Sequence, residues 1–212
     1  MGRISDWFPP FTGIVFVVLF VVVFALLGFE GQDATEKTAE EIAEHYQDNE
    51  TKEFLGGIGI GFAAAFMLFF GGWLRRFLRD AEGPTGILSA VAFGAAVVFS
   101  AGAAVAGSVH LALADLADDI DPIALQAING IDYDLFLIFP VGLGVMAIAG
   151  GISALRHGAL PKWLCWVGIV GGVAFFTPAF PVGLILVPLW ILIVSIIGIS
   201  SARAGGGVPA AA

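Results

Sequence analysis

The stretch Trp73-Leu-Arg-Arg-Phe-Leu-Arg79 closes an apolar run that begins at Phe54. Three of the nine basic residues of the chain lie in this stretch, directly against a hydrophobic segment. Basic residues at the end of a membrane-spanning segment remain on the cytoplasmic side of the membrane. The junction therefore predicts the orientation of the helix that precedes it, and the other segments are oriented relative to that helix.

The composition is that of an integral membrane protein. Of 212 residues, 58% are hydrophobic and 13% are charged, whereas soluble domains have roughly 45–50% apolar and about 25% charged residues. A soluble core of this length could not bury so much apolar surface. Nine of the eighteen acids lie within residues 30–53 and six within 115–134. No basic patch is present that would bind nucleic acid, and the single Cys165 excludes an intrachain disulfide.

Apolar runs and the breaks between them predict an all-α bundle of six transmembrane helices. The six predicted spans cover residues 12–29, 54–73, 87–107, 135–155, 162–177 and 182–200, within one domain over residues 1–203. The first run is long enough to cross a bilayer and is interpreted as an uncleaved anchor. Prolines and a glycine within residues 177–183 divide the last apolar stretch into two helices. The Gly/Ala-rich residues 204–212 are expected to form a flexible tail.

A short, acidic, amphipathic helix is predicted over residues 34–48, on the extracytoplasmic side of the bundle. Its narrow apolar stripe follows the i, i+3, i+4, i+7 spacing and consists of Ala39, Ile42, Ala43 and Tyr46. Asp33 and Glu36 have the spacing of a capping box. We expect Asn49 to end this helix and to cap the next one, so that the acidic helix lies across the ends of the membrane helices with its stripe inward.

The basic residues predict that both termini are cytoplasmic. Six spans place both termini and the even-numbered loops on one side, and seven basic residues fall there: Arg3, Arg75, Arg76, Arg79, Arg156, Lys162 and Arg203. Only Lys37 and Lys52 fall on the other side. The positive-inside rule then favours a multi-pass protein of the cell membrane with cytoplasmic termini.

One candidate site follows from the predicted hairpin of the third and fourth helices. If that hairpin turns near residues 120–121, His110 lies within one helical turn of Asp132 and Asp134. An imidazole beside two carboxylates at the membrane boundary would be held cationic, as in a proton-sensing or cation site. The alternatives are a structural ion pair that closes the hairpin, and solvated acids that do not contact the histidine.

A second, weaker constellation lies in the acidic helix. Glu41 and Asp48 flank His45 at helical spacing, as metal ligands do, but acids are dense throughout this segment. No metal or other cofactor is predicted. None of the six spans carries Asp, Glu, Lys, Arg or His at midplane depth, which disfavours ion-coupled transporters and voltage sensors.

The function favoured by these observations is non-enzymatic. Abundant Gly and Ala faces and a core without reactive groups predict a membrane protein that binds lipid or a partner protein, as an accessory subunit or a homo-oligomer. The alternative is a small transporter or a cation channel with an acidic outer vestibule. A third possibility is an intramembrane enzyme that uses His110 and the nearby aspartates.

Three stretches carry a resemblance to known proteins. They are Ile42-Ala-Glu-His-Tyr-Gln-Asp-Asn49, Leu74-Arg-Arg-Phe-Leu-Arg79 and Ala154-Leu-Arg-His-Gly-Ala-Leu-Pro-Lys-Trp-Leu-Cys-Trp166. With them the chain resembles a group of uncharacterised, mostly actinobacterial multi-pass membrane proteins. The resemblance implies a six-span bacterial inner-membrane protein. It implies no activity, cofactor or site residue.

Overall fold

The computed structural model describes residues 4–27, 36–84 and 86–203, and these residues form helices and short connections. The α-helices are α1 (Ile4–Val21), α2 (Ala39–Glu82), α3 (Leu88–Leu116), α4 (Pro122–Asp134), α5 (Val145–His157), α6 (Lys162–Ala174) and α7 (Phe180–Arg203). A π-helical segment, Val22–Leu27, extends α1. The 3₁₀ segment Leu135–Leu137 and the π segment Phe139–Gly144 join α4 to α5. The predicted tail, the end of the first span and the start of the acidic helix, including Asp33, lie outside the described residues.

The helices pack as a ring around one apolar core. Around the ring the neighbours are α1 and α2, α2 and α3, α3 and α5, α5 and α6, α6 and α7, and α7 and α1. The helix α4 packs on α2 and α3 at one end of the ring. Large buried side chains such as Phe70, Phe99 and Trp190 fill the interior. Because consecutive long helices run antiparallel, their connections alternate between the two ends of the ring.

The two ends of the ring differ in charge. One end holds the connections from α2 to α3 and from α5 to α6, with Arg75, Arg76, Arg79, Arg156 and Lys162; we call it the basic end. The other holds the start of α2, the end of α3 and all of α4, with most of the acids; we call it the acidic end. The structure thus gathers the charges in the two groups that the sequence predicts.

The acidic segment is not a separate helix. It is the first third of α2, which runs unbroken through the predicted boundary at Asn49. Asn49 does not cap a new helix; its side-chain amide instead donates to the carbonyl of His45, one turn earlier. The predicted break is wrong because a polar residue within a helix need not end it when helical packing continues on both sides. The predicted stripe is confirmed: Ala39, Ile42, Ala43 and Tyr46 are all buried.

Four helical segments are long and apolar enough to cross a membrane: Ala39–Glu82, Leu88–Leu116, Pro122–His157 and Phe180–Ala202. By length and composition the chain is therefore a membrane protein. Two further apolar helices, Phe8–Phe24 and Lys162–Ala174, are shorter. The break before α7 falls where the prolines predict it. The helix α4 begins at Pro122, directly after the turn predicted near residues 120–121, with Asp121 as its N-cap.

Candidate functional site at the acidic end

An unbroken stripe along α2 carries one acidic residue into the bundle. Positions spaced by seven residues share one face of a packed helix, and in α2 these positions are all buried: Ala39, Tyr46, Glu53, Ile60, Met67 and Leu74. Glu53 is the only charged member, and it is 2% exposed. The continuity of α2 through Asn49 therefore places a carboxylate against α3 at the acidic end.

Glu53 contacts a histidine that is fully buried. Glu53 Oε2 lies 2.6 Å from His110 Nε2, and the other ring nitrogen, Nδ1, lies 3.0 Å from Asp132 Oδ2. The three groups come from three helices, α2, α3 and α4, and each is buried. The imidazole thus lies between two carboxylates, so each of these buried ionisable groups has a hydrogen-bonding partner of opposite charge type.

The geometry fixes how many protons these three groups share. A neutral imidazole has one N–H, and a carboxylate can only accept, so a neutral ring cannot donate to both carboxylates. Both contacts are satisfied by an imidazolium between two carboxylates, or by a neutral ring with one protonated carboxyl. Either distribution holds the same number of protons and gives the three groups a net charge of −1.

A second histidine connects this group to the protein surface. His45 Nε2 lies 3.1 Å from Glu53 Oε1, the carboxylate oxygen that does not face His110. The His45 side chain is 26% exposed, so it is the member of the group that water reaches. We refer to His45, Glu53, His110 and Asp132 as the tetrad. It forms a continuous chain of hydrogen-bonding contacts from the surface into the bundle.

Apolar packing and one buried hydrogen bond shield the tetrad. Ile42, Leu113 and Leu125 form a small apolar cluster beside it at the acidic end. Tyr46, whose ring centroid lies 6.0 Å from that of His110, donates its hydroxyl hydrogen to Asn129 Oδ1 over 2.9 Å. This shielding lowers the local dielectric constant, which strengthens the electrostatic interactions within the tetrad.

A cavity of about 770 Å³ lies next to the far end of the tetrad. Asp132 lines the cavity together with mostly aromatic and aliphatic side chains, among them Phe24, Phe136, Phe139, Phe175, Phe176 and Phe180. Tyr133 and Thr177 are the other polar lining residues, and Asp132 is the only charged one among the described residues of the wall. Ligand sites in proteins have this size and this mixture of apolar wall and few polar groups.

Irregular helical segments border the cavity. Phe24 comes from the π segment after α1, and Phe139 and Pro140 come from the π segment before α5. Pro140 lacks an N–H and cannot make a regular helical hydrogen bond, which accounts for the departure from α-helical geometry in this segment. Such π segments occur frequently at functional sites. Here they widen the helical turns that form the cavity wall.

The structure brings together some of the predicted site residues and separates others. His110 and Asp132 are in contact, as the hairpin predicts, whereas Asp134 is exposed and takes no part in the tetrad. His45 bonds to Glu53. Glu41 accepts from the backbone N–H of Thr38 as half of a capping box, and Asp48 is exposed. In the described ranges no three His, Cys, Asp or Glu side chains are placed to hold a metal ion.

Glu53 is the functional residue that sequence reasoning missed. The predicted second span begins at residue 54, so Glu53 lies just outside it and is not among the predicted site residues. The signal was nevertheless present: Tyr46, Glu53 and Ile60 are spaced by seven residues. A single acid in an otherwise apolar seven-residue repeat predicts a buried ionisable group with a partner.

The fold and this site define a class: an all-helical membrane protein with a buried ionisable tetrad beside an apolar cavity. The chain belongs to a family described as a domain of unknown function (DUF4386), whose model matches residues 11–202. No curated protein and no solved structure matches the chain. The family's description assigns no activity.

Proposed function

We propose that the protein is a non-enzymatic integral membrane protein that binds a lipid-like amphiphile in the cavity at its acidic end. The observation that carries the proposal is the cavity of about 770 Å³, whose wall is apolar except near Asp132, Tyr133 and Thr177. A hydrocarbon chain would lie along the phenylalanine side chains. The polar head of the ligand would lie against Asp132.

The chemistry of the wall favours hydrocarbon over water as the occupant. Apolar cavities hold water poorly because the wall offers it too few hydrogen-bonding partners. An empty cavity forfeits dispersion contacts along its whole wall. A hydrocarbon chain restores those contacts, and the bilayer is a source of such chains.

The proposal includes six crossings, with both termini on the cytoplasmic side. The helices α1 and α6 complete the ring with the four long helices, so each separates neighbours that are long enough to cross the membrane. The basic end carries Arg75, Arg76, Arg79 and Arg156 and would face the cytoplasm. The cavity and the tetrad would then lie toward the extracytoplasmic side.

Binding to the protein in lipid nanodiscs tests this function. The probes are radiolabelled dodecanol and radiolabelled dodecyltrimethylammonium, and empty nanodiscs give the background that arises from partition into lipid. We expect saturable binding of at least one probe. Leu184→Trp, which places a bulky ring into the cavity wall, should abolish that binding.

A matched substitution separates cavity filling from a general effect on α7. Leu189 lies on the same helix, is 42% exposed and does not line the cavity. Leu189→Trp should therefore bind both probes as the unmodified protein does. Equal loss in both variants, or binding of neither probe to the unmodified protein, would contradict the proposed function.

A further inference from the structure

The tetrad has a feature that amphiphile binding alone does not explain. Its four side chains link the surface at His45 to the cavity at Asp132 through contacts of 3.1, 2.6 and 3.0 Å. Each contact joins a ring nitrogen to a carboxylate oxygen, so every member can both take up and release a proton. A purely structural ion pair would need only two of these groups.

Building on the proposed function, we infer that the cavity takes an amphiphile with a cationic head group, and that its binding releases a proton through the tetrad to the solution at the acidic end. The charge of the wall supports the cationic class. Asp132 is the only charged residue among the described residues of the wall. Phenylalanine rings attract cations at their faces, and several phenylalanines line the wall.

Charge balance supplies the reason for the exchange. Glu53, His110 and Asp132 hold a net charge of −1 while they share two protons. A cation placed beside Asp132 replaces the positive charge that the shared proton supplies, so that proton is bound less tightly. When one cation enters and one proton leaves, the net charge of the occupied site is unchanged.

The path of the proton follows the contacts. The proton on His110 Nε2 moves to Glu53 Oε2, which leaves His110 neutral with its remaining proton on Nδ1, facing Asp132. Rotation of the Glu53 carboxyl group then brings the protonated oxygen to face His45, and the proton passes to His45 Nε2, in the tautomer in which that nitrogen is unprotonated. His45, with its ring partly exposed, releases a proton to the solution, and Glu53 is again a carboxylate.

Among the residues that the structure describes, further titratable groups near the tetrad lie on the same helices. Facing His110 in the described structure are Glu53 and Tyr46 from α2 and Asp132 from α4. The Tyr46 hydroxyl is directed to Asn129. Tyr133, next to Asp132, lines the cavity. The proposed exchange therefore involves the tetrad and no group from α5, α6 or α7 in the described cavity wall.

The test compares the two dodecyl probes on protein in nanodiscs. Dodecyltrimethylammonium carries a permanent charge and has no proton to give, so any proton released comes from the protein. We expect it to bind more tightly than dodecanol and to release about one proton per bound cation, detected by a pH-sensitive dye in weak buffer. Its affinity should weaken by up to about tenfold for each unit by which the pH is lowered, because protons compete with the cation.

Substitutions test whether the preference for the cation and the release of a proton depend on the tetrad. Asp132→Asn should lose the preference for the cation, whereas Asp134→Asn, which removes an exposed charge two residues away, should keep it. His110→Gln should bind the cation without releasing a proton, and retained dodecanol binding would show that this variant is folded. His45→Gln, at the partly exposed end, removes the group that passes the proton to solution and should slow proton release.

The outcomes separate the two proposals. Dodecanol binding as strong as cation binding, or cation binding without proton release, overturns the present inference and leaves amphiphile binding standing. Binding of neither probe overturns both. If Asp134→Asn loses the preference for the cation as much as Asp132→Asn does, that preference arises from surface charge. This result would overturn the role of the tetrad.

Discussion

Glu53 and His110 are 57 residues apart in sequence, yet Glu53 Oε2 lies 2.6 Å from His110 Nε2 in a part of the bundle that water does not reach. The contact joins α2 to α3, the two helices that pack together most extensively. It also joins the surface histidine, His45, to the cavity residue, Asp132. The stability of this site and the proposed proton exchange both depend on that contact.

Removal of the Glu53 carboxylate should destabilise the protein strongly. Glu53→Ala removes the carboxylate that contacts His110 and His45 but leaves Asp132 beside His110, and loss of a hydrogen bond to a charged group costs about 1.5–3 kcal/mol. The measurement is the free energy of unfolding in mixed micelles titrated with sodium dodecyl sulfate. Glu50→Ala removes an exposed acid from the same helix and serves as the control. A loss below about 1 kcal/mol for Glu53→Ala, in the range of an exposed pair, would show that the contact is not a buried ion pair.

The Tyr46 hydroxyl should contribute a smaller but measurable stabilisation. Tyr46→Phe keeps the buried ring and removes the hydrogen bond to Asn129 Oδ1, which should lower the free energy of unfolding by about 0.5–1.5 kcal/mol. Tyr133→Phe, at a tyrosine that is 46% exposed, is the matched control for stability. Equal effects of the two substitutions would contradict the hydrogen bond between α2 and α4.

The close approach of α2 and α3 at Gly57 and Gly107 should not tolerate a methyl group. A Cβ at Gly107 would lie 2.8 Å from the Gly57 carbonyl oxygen and 2.7 Å from Ile60 Cγ2. Since backbone cannot move aside cheaply, we expect Gly107→Ala to cost about 1–3 kcal/mol, measured in the same micelle titration.

Gly61 offers the comparison on the same helix as Gly57. No atom lies within 4 Å of the Cβ that a substitution there would add. Gly61→Ala should be neutral or slightly stabilising, because alanine favours the helix more than glycine does. A larger loss of stability for Gly61→Ala than for Gly107→Ala would mean that the helices do not cross where the structure places them.

The topology can be tested by cysteine labelling in a Cys165→Ser background. Glu50→Cys, at the acidic end, should react with a membrane-impermeant maleimide in intact cells. Asp80→Cys and His157→Cys, both exposed at the basic end, should react only after the cells are permeabilised. Labelling of Asp80→Cys and His157→Cys from opposite sides would contradict an even number of crossings between them.

Much of the fold could be predicted because lipid imposes a simple rule. A helix in hydrocarbon satisfies its own backbone groups, so length and apolarity suffice to locate α3 and α7. The turn at Pro122 and the break before Phe180 follow equally directly from proline chemistry. The pairing of His110 with Asp132 followed from hairpin geometry, since both residues lie a similar distance from one turn.

The contacts between distant segments could not be predicted in the same way. Gly57 and Gly61 are identical residues about one turn apart on α2. Of the two, only Gly57 lies against α3, because the rotation of α2 about its axis depends on all its neighbours. From hairpin geometry, Asp132 and Asp134 are equal candidates as partners of His110. Both belong to α4, and residues two apart on a helix lie on different faces, so only Asp132 faces His110 while Asp134 is exposed.

By itself, the sequence determined that this is a helical membrane protein whose basic and acidic residues collect at opposite ends, because apolar length and charge position act locally along the chain. Only the tertiary structure decided that Glu53 enters the bundle, that it contacts His110, and that Asp132 reaches a cavity. Those facts depend on how three helices are rotated against one another. That rotation is set by packing and by the pairing of buried charges, which involve residues far apart in the chain.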